Sequence, residues 1–506
     1  MVENHEIEHD GSHHEPAPHS CMLQEYNSQI LPVHAALLRT GRLLYFSGSG
    51  NDPAKFPDRR MDARVWDPRS GKIEEIKSHA SRRDLFCTGH CFLPDGKLLV
   101  AGGNSGYPLT DRIPIFTGLP DTFLFDPDPP PGRWLRAADM SGGRWYPTCV
   151  ALSDGRVMVL SGVWDTLWKA VLPPFGFNNW RTEVWSPQGG FMPSEDTASG
   201  HWEDMHAKKE IEYYPRVHLI PSGDLLRVGP ERLTLEFDPR TRRWSRVALA
   251  PTNRFEGSSV LLPLRPNAYE ARILAIGGSR GKRWNLDATN SAAILERTDG
   301  DWKWNWVAPM SFRRRHANAT LLLDGRVLVT AGGQRAKEEP ILETELFDPR
   351  SSTWRLGAKC SVGRTYHSVA VLLPDGRVWT GGGNPSWGVD ELRIELYTPG
   401  YCVGEDRPSI EDSPTNLSYG VPFDIGIKSP TPITEVTLVR PASVTHSFNV
   451  DQRWVGLEVL SEDEKQVTVR APPKPELAPP GWYMLTVLDE HRCPAEARWA
   501  QLAVSF

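Results

Sequence analysis

The sequence predicts an all-β protein, in which a seven-bladed kelch-type β-propeller is followed by an immunoglobulin-like β-sandwich. The first observation is a repeated turn followed by an apolar stretch and a pair of small residues, as in LPDGKLLVAGG. The turn glycines are Gly41, Gly96, Gly155, Gly223, Gly325 and Gly376. Residues 271–278 (ARILAIGG) fill the double gap between 223 and 325 and bring the number of copies to seven. Periods of about 50 residues, each with four short strands, are typical of propeller blades.

A second signal keeps the same period and supports the same blades. It is an aromatic residue followed by Asp-Pro, as in Trp66-Asp67-Pro68, often with a tryptophan a few residues later. Together the repeats assign residues 30–402 to the propeller. Residues 1–29 form a polar, His-rich tail that we expect to be disordered, with metal scavenging as the alternative for its histidines.

The last segment, residues 403–506, lacks the repeat and alternates apolar and polar residues, as in ITEVTLV and QVTVRAPP. Such alternation is typical of half-buried strands, and no helix signal accompanies it. We therefore predict a small immunoglobulin-like sandwich docked on the propeller.

Composition narrows the range of partners. The net charge is −6 and no stretch is strongly basic, so nucleic acid and anionic membrane surfaces are not expected as partners. No apolar run approaches the roughly 20 residues of a membrane span. We also expect the protein to be a monomer. The start of the chain lacks the apolar core of a secretory signal, which fits either a cytoplasmic protein or the mature form of a secreted or cell-surface one. The seven cysteines are scattered and do not look like a disulfide framework.

The repeat also brings chemically active side chains together. Cys87, Tyr146, His316 and His367 each stand nine residues before a turn glycine. Inner strands of a propeller run along the central channel, so these residues are expected at one mouth of it. Nine residues after Gly155 stands Trp164, which is expected to meet Tyr146 there.

Tyr366 lies beside His367, and a set of phenol and imidazole donors favours a tetragonal Cu(II) site over Zn or Ca. Adjacent residues of a regular strand point to opposite faces. Tyr366 and His367 can therefore share a metal only where the strand begins or bends.

Four short motifs occur in order along the chain. They are FCTG at 86–89, RWYP at 144–147, GRTYHS at 363–368 and VTHSFNVDQR at 444–453. Together they resemble the radical copper oxidases, the family that includes galactose oxidase and glyoxal oxidase. The resemblance covers the chain from about residue 30 to its end.

This resemblance implies Cu(II) held by Tyr146, Tyr366, His367 and a histidine of the C-terminal domain, His446. It also implies a thioether cofactor between Cys87 and Tyr146, and it gives the remaining residues roles. The indole of Trp164 would shield the tyrosyl radical, Tyr366 would act as general base, and Tyr146 would take the hydrogen on carbon. Dioxygen would leave as hydrogen peroxide, and the substrate would be a small aldehyde or, second, a primary alcohol.

Other interpretations remain open at this point. A catalytically inactive kelch propeller that binds carbohydrate or protein is the alternative function, since propeller loops make good binding surfaces. Structural or supporting roles are expected for His316 and for Tyr214, which precedes Gly223 by nine residues. The segment RFEG at 254–257 shows no pattern that assigns it a role.

Overall fold

The structure, a computed structural model, describes residues 19–58, 61–77, 83–108, 116–165, 178–187, 197–209, 211–281, 287–335, 339–384, 389–403 and 407–503. The regular structure of these residues is almost entirely β, with two 3-10 turns at Phe56–Asp58 and Gly400–Cys402. Among them, no helix is long and apolar enough to cross a membrane.

The strands of the propeller begin at Ser20. In chain order, the first fifteen are β1 (Ser20–Asn27), β2 (His34–Leu37), β3 (Leu43–Phe46), β4 (Ala63–Trp66), β5 (Ile73–Glu75), β6 (Gly89–Phe92), β7 (Leu98–Ala101), β8 (Asn104–Gly106), β9 (Thr117–Gly118), β10 (Thr122–Asp126), β11 (Arg133–Ala137), β12 (Thr148–Ala151), β13 (Val157–Leu160), β14 (Glu183–Ser186) and β15 (His201–Asp204).

The next fifteen complete the propeller. They are β16 (Arg216–Leu219), β17 (Leu225–Gly229), β18 (Leu233–Asp238), β19 (Arg243–Leu249), β20 (Ser258–Leu261), β21 (Ile273–Ile276), β22 (Ala292–Thr298), β23 (Asp301–Val307), β24 (Asn318–Leu321), β25 (Val327–Thr330), β26 (Glu343–Asp348), β27 (Thr353–Lys359), β28 (Ser368–Leu372), β29 (Val378–Gly382) and β30 (Arg393–Thr398).

The last ten belong to the C-terminal domain. They are β31 (Ser409–Asp412), β32 (Asn416–Leu417), β33 (Pro422–Lys428), β34 (Ile433–Arg440), β35 (Ser443–Thr445), β36 (Phe448–Asn449), β37 (Arg453–Glu462), β38 (Gln466–Arg470), β39 (Gly481–Asp489) and β40 (Arg498–Leu502).

Seven antiparallel sheets form the blades of a propeller, which confirms the predicted fold class. Blades 3 to 6 follow the chain in simple four-strand order, from β12–β15 to β24–β27. The inner strands pack side by side around the channel in the order β6, β12, β16, β20, β24, β28 and β2, and β35 of the C-terminal domain packs against both β2 and β6. The sheets bury mainly apolar side chains between neighbouring blades, so the core is a ring of clusters.

The N-terminal strand closes this ring, and this corrects the predicted boundary of the tail. β1 pairs with β30 as the outer strand of the seventh blade, so residues 20–27 belong to the propeller and not to the tail. Cys21 on β1 forms a disulfide with Cys360, which follows β27 of the sixth blade. Neither feature carries a repeat signal, because β1 completes a blade whose other strands lie more than 300 residues further along the chain.

The turn glycines all lie on the face of the propeller that the C-terminal domain covers. Gly96, Gly155, Gly325 and Gly376 have φ between 81° and 93°, a conformation that glycine adopts without strain. Their surroundings include side chains of the C-terminal domain, such as Trp454 near Gly325. The channel mouth reached by the start of each inner strand is therefore at the opposite face.

A hairpin of the C-terminal domain crosses from the covered face to that mouth. The domain itself is an eight-stranded β arrangement, and its β35 pairs with β2 of the first blade while β36 pairs with β35. His446 and Ser447 form the two-residue turn at the tip, with φ of 47° and 65°. A turn with both residues left-handed matches the twist of a tight hairpin. The hairpin therefore delivers His446 to the mouth of the channel.

Candidate metal centre

Six residues occupy the same backbone position at this mouth, one or two residues before an inner strand begins. We call them the mouth residues; their φ angles are Cys87 61°, Tyr146 67°, Tyr214 44°, Glu256 60°, His316 58° and His367 63°. A left-handed backbone is costly for any residue with a Cβ, by about 1 kcal/mol or more. Its recurrence in six blades shows that the surrounding structure enforces it.

Two kinds of contact hold this conformation. The mouth residues of neighbouring blades share backbone hydrogen bonds, as from Tyr146 N to Cys87 O at 3.0 Å and from His316 N to Glu256 O at 2.8 Å. In several blades a buried arginine, two or three residues before the mouth residue, pairs with a glutamate on the third strand of the same blade. Arg144 and Glu183 form such a pair at 2.6 Å. The mouth is therefore a rigid ring.

The left-handed residue places neighbouring side chains on the same side of the chain. The rings of Tyr366 and His367 stack with centroids 3.6 Å apart. The rings of Trp145 and Tyr146 stack with centroids 3.8 Å apart and planes 11° from parallel. In a regular strand these pairs would point to opposite faces. The conformation predicted to be necessary for Tyr366 and His367 is thus present in two blades.

The structure brings five of the six predicted site residues together. The hydroxyls of Tyr146 and Tyr366 are hydrogen-bonded. Cys87 Sγ lies 3.6 Å from His446 Nε2. One donor atom each from Cys87, His367 and His446 lies within 4.8 Å of the other two. These residues come from three blades and the C-terminal hairpin.

The sixth residue, Trp164, is not the stacked indole that the sequence predicted. The indole on the ring of Tyr146 belongs to Trp145, whereas Trp164 packs one layer further out beside Val163 and Trp180. The reason is the left-handed backbone at Tyr146, which folds the preceding side chain onto the phenol. The spacing from Gly155 could not reveal this.

Tyr146 is enclosed on both ring faces. Tyr214 stacks on the face opposite Trp145, with centroids 4.4 Å apart and planes 27° from parallel. The Tyr214 hydroxyl donates a hydrogen bond to Thr88 O at 3.0 Å, which fixes that ring. Phe116 stacks on the far side of Trp145 at 4.2 Å. Four aromatic rings thus form one stack with Tyr146 inside it.

A cavity of about 220 Å³ opens beside this centre. Its lining residues include Tyr146, Tyr366, His446, Glu256 and His316. His316 stands in the cavity wall with its ring 4.9 Å from that of Tyr366.

Glu256 was missed by the sequence analysis. The hairpin of the fifth blade, between Leu261 and Ile273, is longer and lacks the glycine turn, and within it Leu264 N donates to Trp454 O of the C-terminal domain. A usable signal was the arginine two residues before the mouth residue, which Arg254 shares with Arg144 and Arg314.

With the geometry in place, similarity to known proteins decides the family. The family model described as the glyoxal oxidase N-terminus matches residues 58–401, and that of the galactose oxidase-like early set domain matches residues 407–502. The chain belongs to the glyoxal oxidase family. The resemblance to radical copper oxidases drawn from the four motifs is thereby confirmed.

Curated relatives agree with this assignment. Galactose oxidase of Gibberella zeae is 26% identical over 496 residues, covering 92% of this chain and 68% of that protein. Aldehyde oxidase GLOX of Vitis pseudoreticulata is 29% identical over 543 residues, covering 94% and 95%. A solved fungal alcohol oxidase of the AA5 family, determined in complex with copper, has the same fold, with a TM-score of 0.77 at 23% identity over 97% of this chain and 100% of that one.

The donor set of this glyoxal oxidase family member fits copper. The Thr445 hydroxyl can donate to Val33 O at 3.3 Å, and its oxygen lies 2.6 Å from His446 Nδ1. A proton on Nδ1 satisfies both contacts and leaves a lone pair on Nε2, on the side of Cys87. Fixing the tautomer through the other ring nitrogen is typical of metal-binding histidines.

Burial keeps the centre uncharged in the absence of a cation. It raises the pKa of Tyr146 and of Tyr366 well above the usual value, and nearby Cys87 raises both further. Burial also lowers the pKa of His446 well below its usual value, as do His367 and His34. The neutral imidazole of His446 is ready to bind a metal, and the phenols would become ligands when a divalent ion displaces their protons.

Proposed function

We propose that this protein is a copper-radical oxidase that oxidises a small aldehyde or a primary alcohol with dioxygen and releases hydrogen peroxide. The observation that carries the proposal is the meeting of Cys87, Tyr146, Tyr366, His367 and His446 at one channel mouth. One of these residues comes from a different domain. A propeller that served only as a binding scaffold would not need this convergence.

Tyr146, Tyr366, His367 and His446 would hold the copper ion. Bound copper would supply a one-electron redox couple next to the phenol of Tyr146. Oxidation of an alcohol or an aldehyde hydrate removes two electrons, so a second one-electron centre must come from the protein. Tyr146 is the candidate, because its ring is stacked on both faces and shielded from water.

The two tyrosines would divide the work of removing two hydrogens from the substrate. Tyr366, as phenolate, would accept the proton of the substrate hydroxyl as a general base. Tyr146 would take the hydrogen on carbon. Two electrons and two protons therefore leave the substrate, and dioxygen takes up the same number to become hydrogen peroxide.

We also propose a thioether between Cys87 Sγ and the ring of Tyr146. Tyr146 N donates to Cys87 O at 3.0 Å, and both residues belong to one buried cluster, so the two side chains lie in the same part of the mouth. A sulfur substituent makes the phenol easier to oxidise. This cofactor would be made from the chain itself.

The size of the cavity favours small substrates. Its volume of about 220 Å³ is below the roughly 300–1,000 Å³ of typical sites for drug-sized ligands. Apolar and aromatic side chains form part of its wall, including Phe116, Trp145 and Phe255. A short aldehyde or alcohol, or one end of a longer molecule, would fit.

Metal analysis and a peroxide assay test the proposed function together. Purified protein is loaded with copper, treated with a one-electron oxidant and offered a panel of small aldehydes and primary alcohols. We expect about one copper per chain and peroxide formation that disappears in metal-free protein. Loaded and oxidised protein that produces no peroxide from any member of the panel would contradict the proposal.

A further inference from the structure

The carboxylate of Glu256 is held in the cavity wall in a way that leaves one oxygen unused. Its backbone is clamped by the left-handed conformation and by the hydrogen bond from His316 N to Glu256 O at 2.8 Å. Arg315 Nε donates to Oε2 at 2.5 Å, and Arg315 Nη2 also contacts Oε2. His316 Nε2 lies 3.1 Å from the same oxygen.

The other oxygen, Oε1, is available to a molecule in the cavity. Among the residues that the structure describes, none donates a hydrogen bond to it. The side chain is 23% exposed, and Glu256 is one of the residues that line the cavity. Because the contacts from Arg315 and His316 all fall on Oε2, they hold that oxygen and leave Oε1 to accept a hydrogen bond from a molecule in the cavity.

This acceptor carries little net charge into the cavity. Burial raises the pKa of the Glu256 carboxyl, but His316 and Arg315 lower it by more, so the net pKa lies below its usual value. The group is therefore an anion at neutral pH, and the guanidinium of Arg315 offsets its charge. A neutral hydrogen-bond donor fits this arrangement better than a second cation.

The two proposed substrate classes differ in the number of such donors. A primary alcohol has one hydroxyl at the reacting carbon, and Tyr366 is placed to take its proton. An aldehyde is oxidised as its hydrate, R–CH(OH)₂, which has a second hydroxyl at the same carbon. Leaving that hydroxyl without an acceptor in a closed site would cost about 1–3 kcal/mol.

We propose that Glu256 Oε1 accepts the hydrogen bond of this second hydroxyl and makes aldehyde hydrates the preferred substrates of the site. The inference rests on the proposed function. The balanced reaction is R–CH(OH)₂ + O₂ → R–COOH + H₂O₂, in which one C–H and one O–H bond of the hydrate are broken. Glu256 takes no part in the electron transfer and determines specificity.

The kinetic test compares an aldehyde with the alcohol of the same carbon skeleton, methylglyoxal with hydroxyacetone, in the copper-loaded enzyme. In Glu256→Gln, Arg315 and His316 retain the amide oxygen, so a donor NH₂ replaces the acceptor at the Oε1 position. We expect kcat/KM for methylglyoxal to fall about tenfold or more, the effect of one charge-assisted hydrogen bond. The value for hydroxyacetone should change less than about threefold.

A binding test removes the chemistry altogether. Protein loaded with redox-inert Zn(II) is titrated with chloral hydrate and with 2,2,2-trichloroethanol, which differ by one hydroxyl. We expect wild-type protein to bind the hydrate about tenfold more tightly, and E256Q to bind the two alike. Equal or undetectable binding of the two ligands by wild-type protein would overturn the proposal.

Glu212→Gln serves as the matched variant, because Glu212 also lines the cavity. If E212Q abolishes the preference and E256Q keeps it, Glu256 is not the acceptor and the inference is wrong. If wild-type enzyme oxidises both substrates but E256Q keeps their ratio, the inference fails and the proposed function stands. If wild-type enzyme oxidises neither these two substrates nor any other member of the panel, the proposed function itself fails.

Discussion

The two sides of the channel mouth use the same backbone for different chemistry. Blades 2, 3 and 7 present Cys87, Tyr146 and His367, which converge on the candidate copper site with Tyr366 and His446. Blades 4, 5 and 6 present Tyr214, Glu256 and His316, which line the cavity. Each of these six mouth residues has the same left-handed conformation.

The repeat therefore sets position, and side-chain identity sets function. A left-handed residue before an inner strand places two adjacent side chains in the mouth, as with Tyr366 and His367 or Arg315 and His316. On one side such pairs supply donors to the proposed copper site. On the other side they line the cavity proposed for the substrate.

Matched histidine substitutions should separate the two sides most strongly. His367→Ala removes a proposed ligand, whereas His316→Ala changes the same residue type at the same backbone position in the cavity wall. We expect copper affinity to fall more than about a hundredfold in H367A, since losing even a partner of a ligand costs 10–100-fold. Copper affinity in H316A should change less than about tenfold, as checked by competition with a chelator. Similar losses in both variants would remove the distinction between the two sides.

The second test concerns the cysteine on the copper side. Cys87→Ser should keep the four copper ligands but raise the potential needed to oxidise Tyr146, because the proposed sulfur substituent is lost. We expect peroxide production to fall by at least about tenfold, equivalent to about 1.4 kcal/mol or more in the activation barrier. Voltammetry and the peroxide assay measure the two effects. Cys149→Ser, a buried cysteine of the neighbouring core, is the control and should alter neither.

The third test asks which indole protects the radical. Trp145→Leu should shorten the lifetime of the oxidised Tyr146, because it opens one face of the phenol and removes a stacking interaction of about 0.5–1.5 kcal/mol. Trp164→Leu should leave that lifetime close to wild type. The decay of the radical absorbance measures both, with thermal unfolding as the check on folding. A shorter lifetime in W164L alone would restore the role that the sequence predicted for Trp164.

The fourth test is the pH dependence of copper binding. Both phenols have a raised pKa, so they are protonated in metal-free protein at neutral pH and must release protons when copper binds. Affinity should therefore rise with pH below those pKa values, by about tenfold per pH unit for each proton released. Tyr366→Phe should reduce the slope by about one proton. A slope of zero between about pH 6 and 8 would show that neither phenol binds as phenolate.

The periodicity of the sequence predicted the blades and three residues of the candidate metal centre. It could do so because most blades repeat a turn that needs a glycine with positive φ. Cys87, Tyr146 and His367 were found because their blades keep the distance of nine residues to that turn. Glu256 was missed because the hairpin of its blade is longer and no turn glycine stands nine residues after it.

Contacts between segments that are far apart in the chain could not be predicted from the repeat. The strand β1 and the Cys21–Cys360 disulfide join segments far apart in the chain. Trp145 was overlooked because alternation along a strand places it away from Tyr146. The left-handed backbone at Tyr146 instead places Trp145 on the phenol. Tyr366 and His367 were predicted to share a metal only where their strand begins or bends, and the same argument applied to Trp145 and Tyr146 could have suggested this contact.

The most direct measurement of the central claim is the mass of the peptides that contain Cys87 and Tyr146. Protein matured with copper and oxygen is denatured, reduced and digested with trypsin. If the centre performs radical chemistry, the two peptides should appear as one linked species that resists reduction, lighter than their summed mass by two hydrogens. A free Cys87 thiol in fully copper-loaded, aerated protein would contradict it.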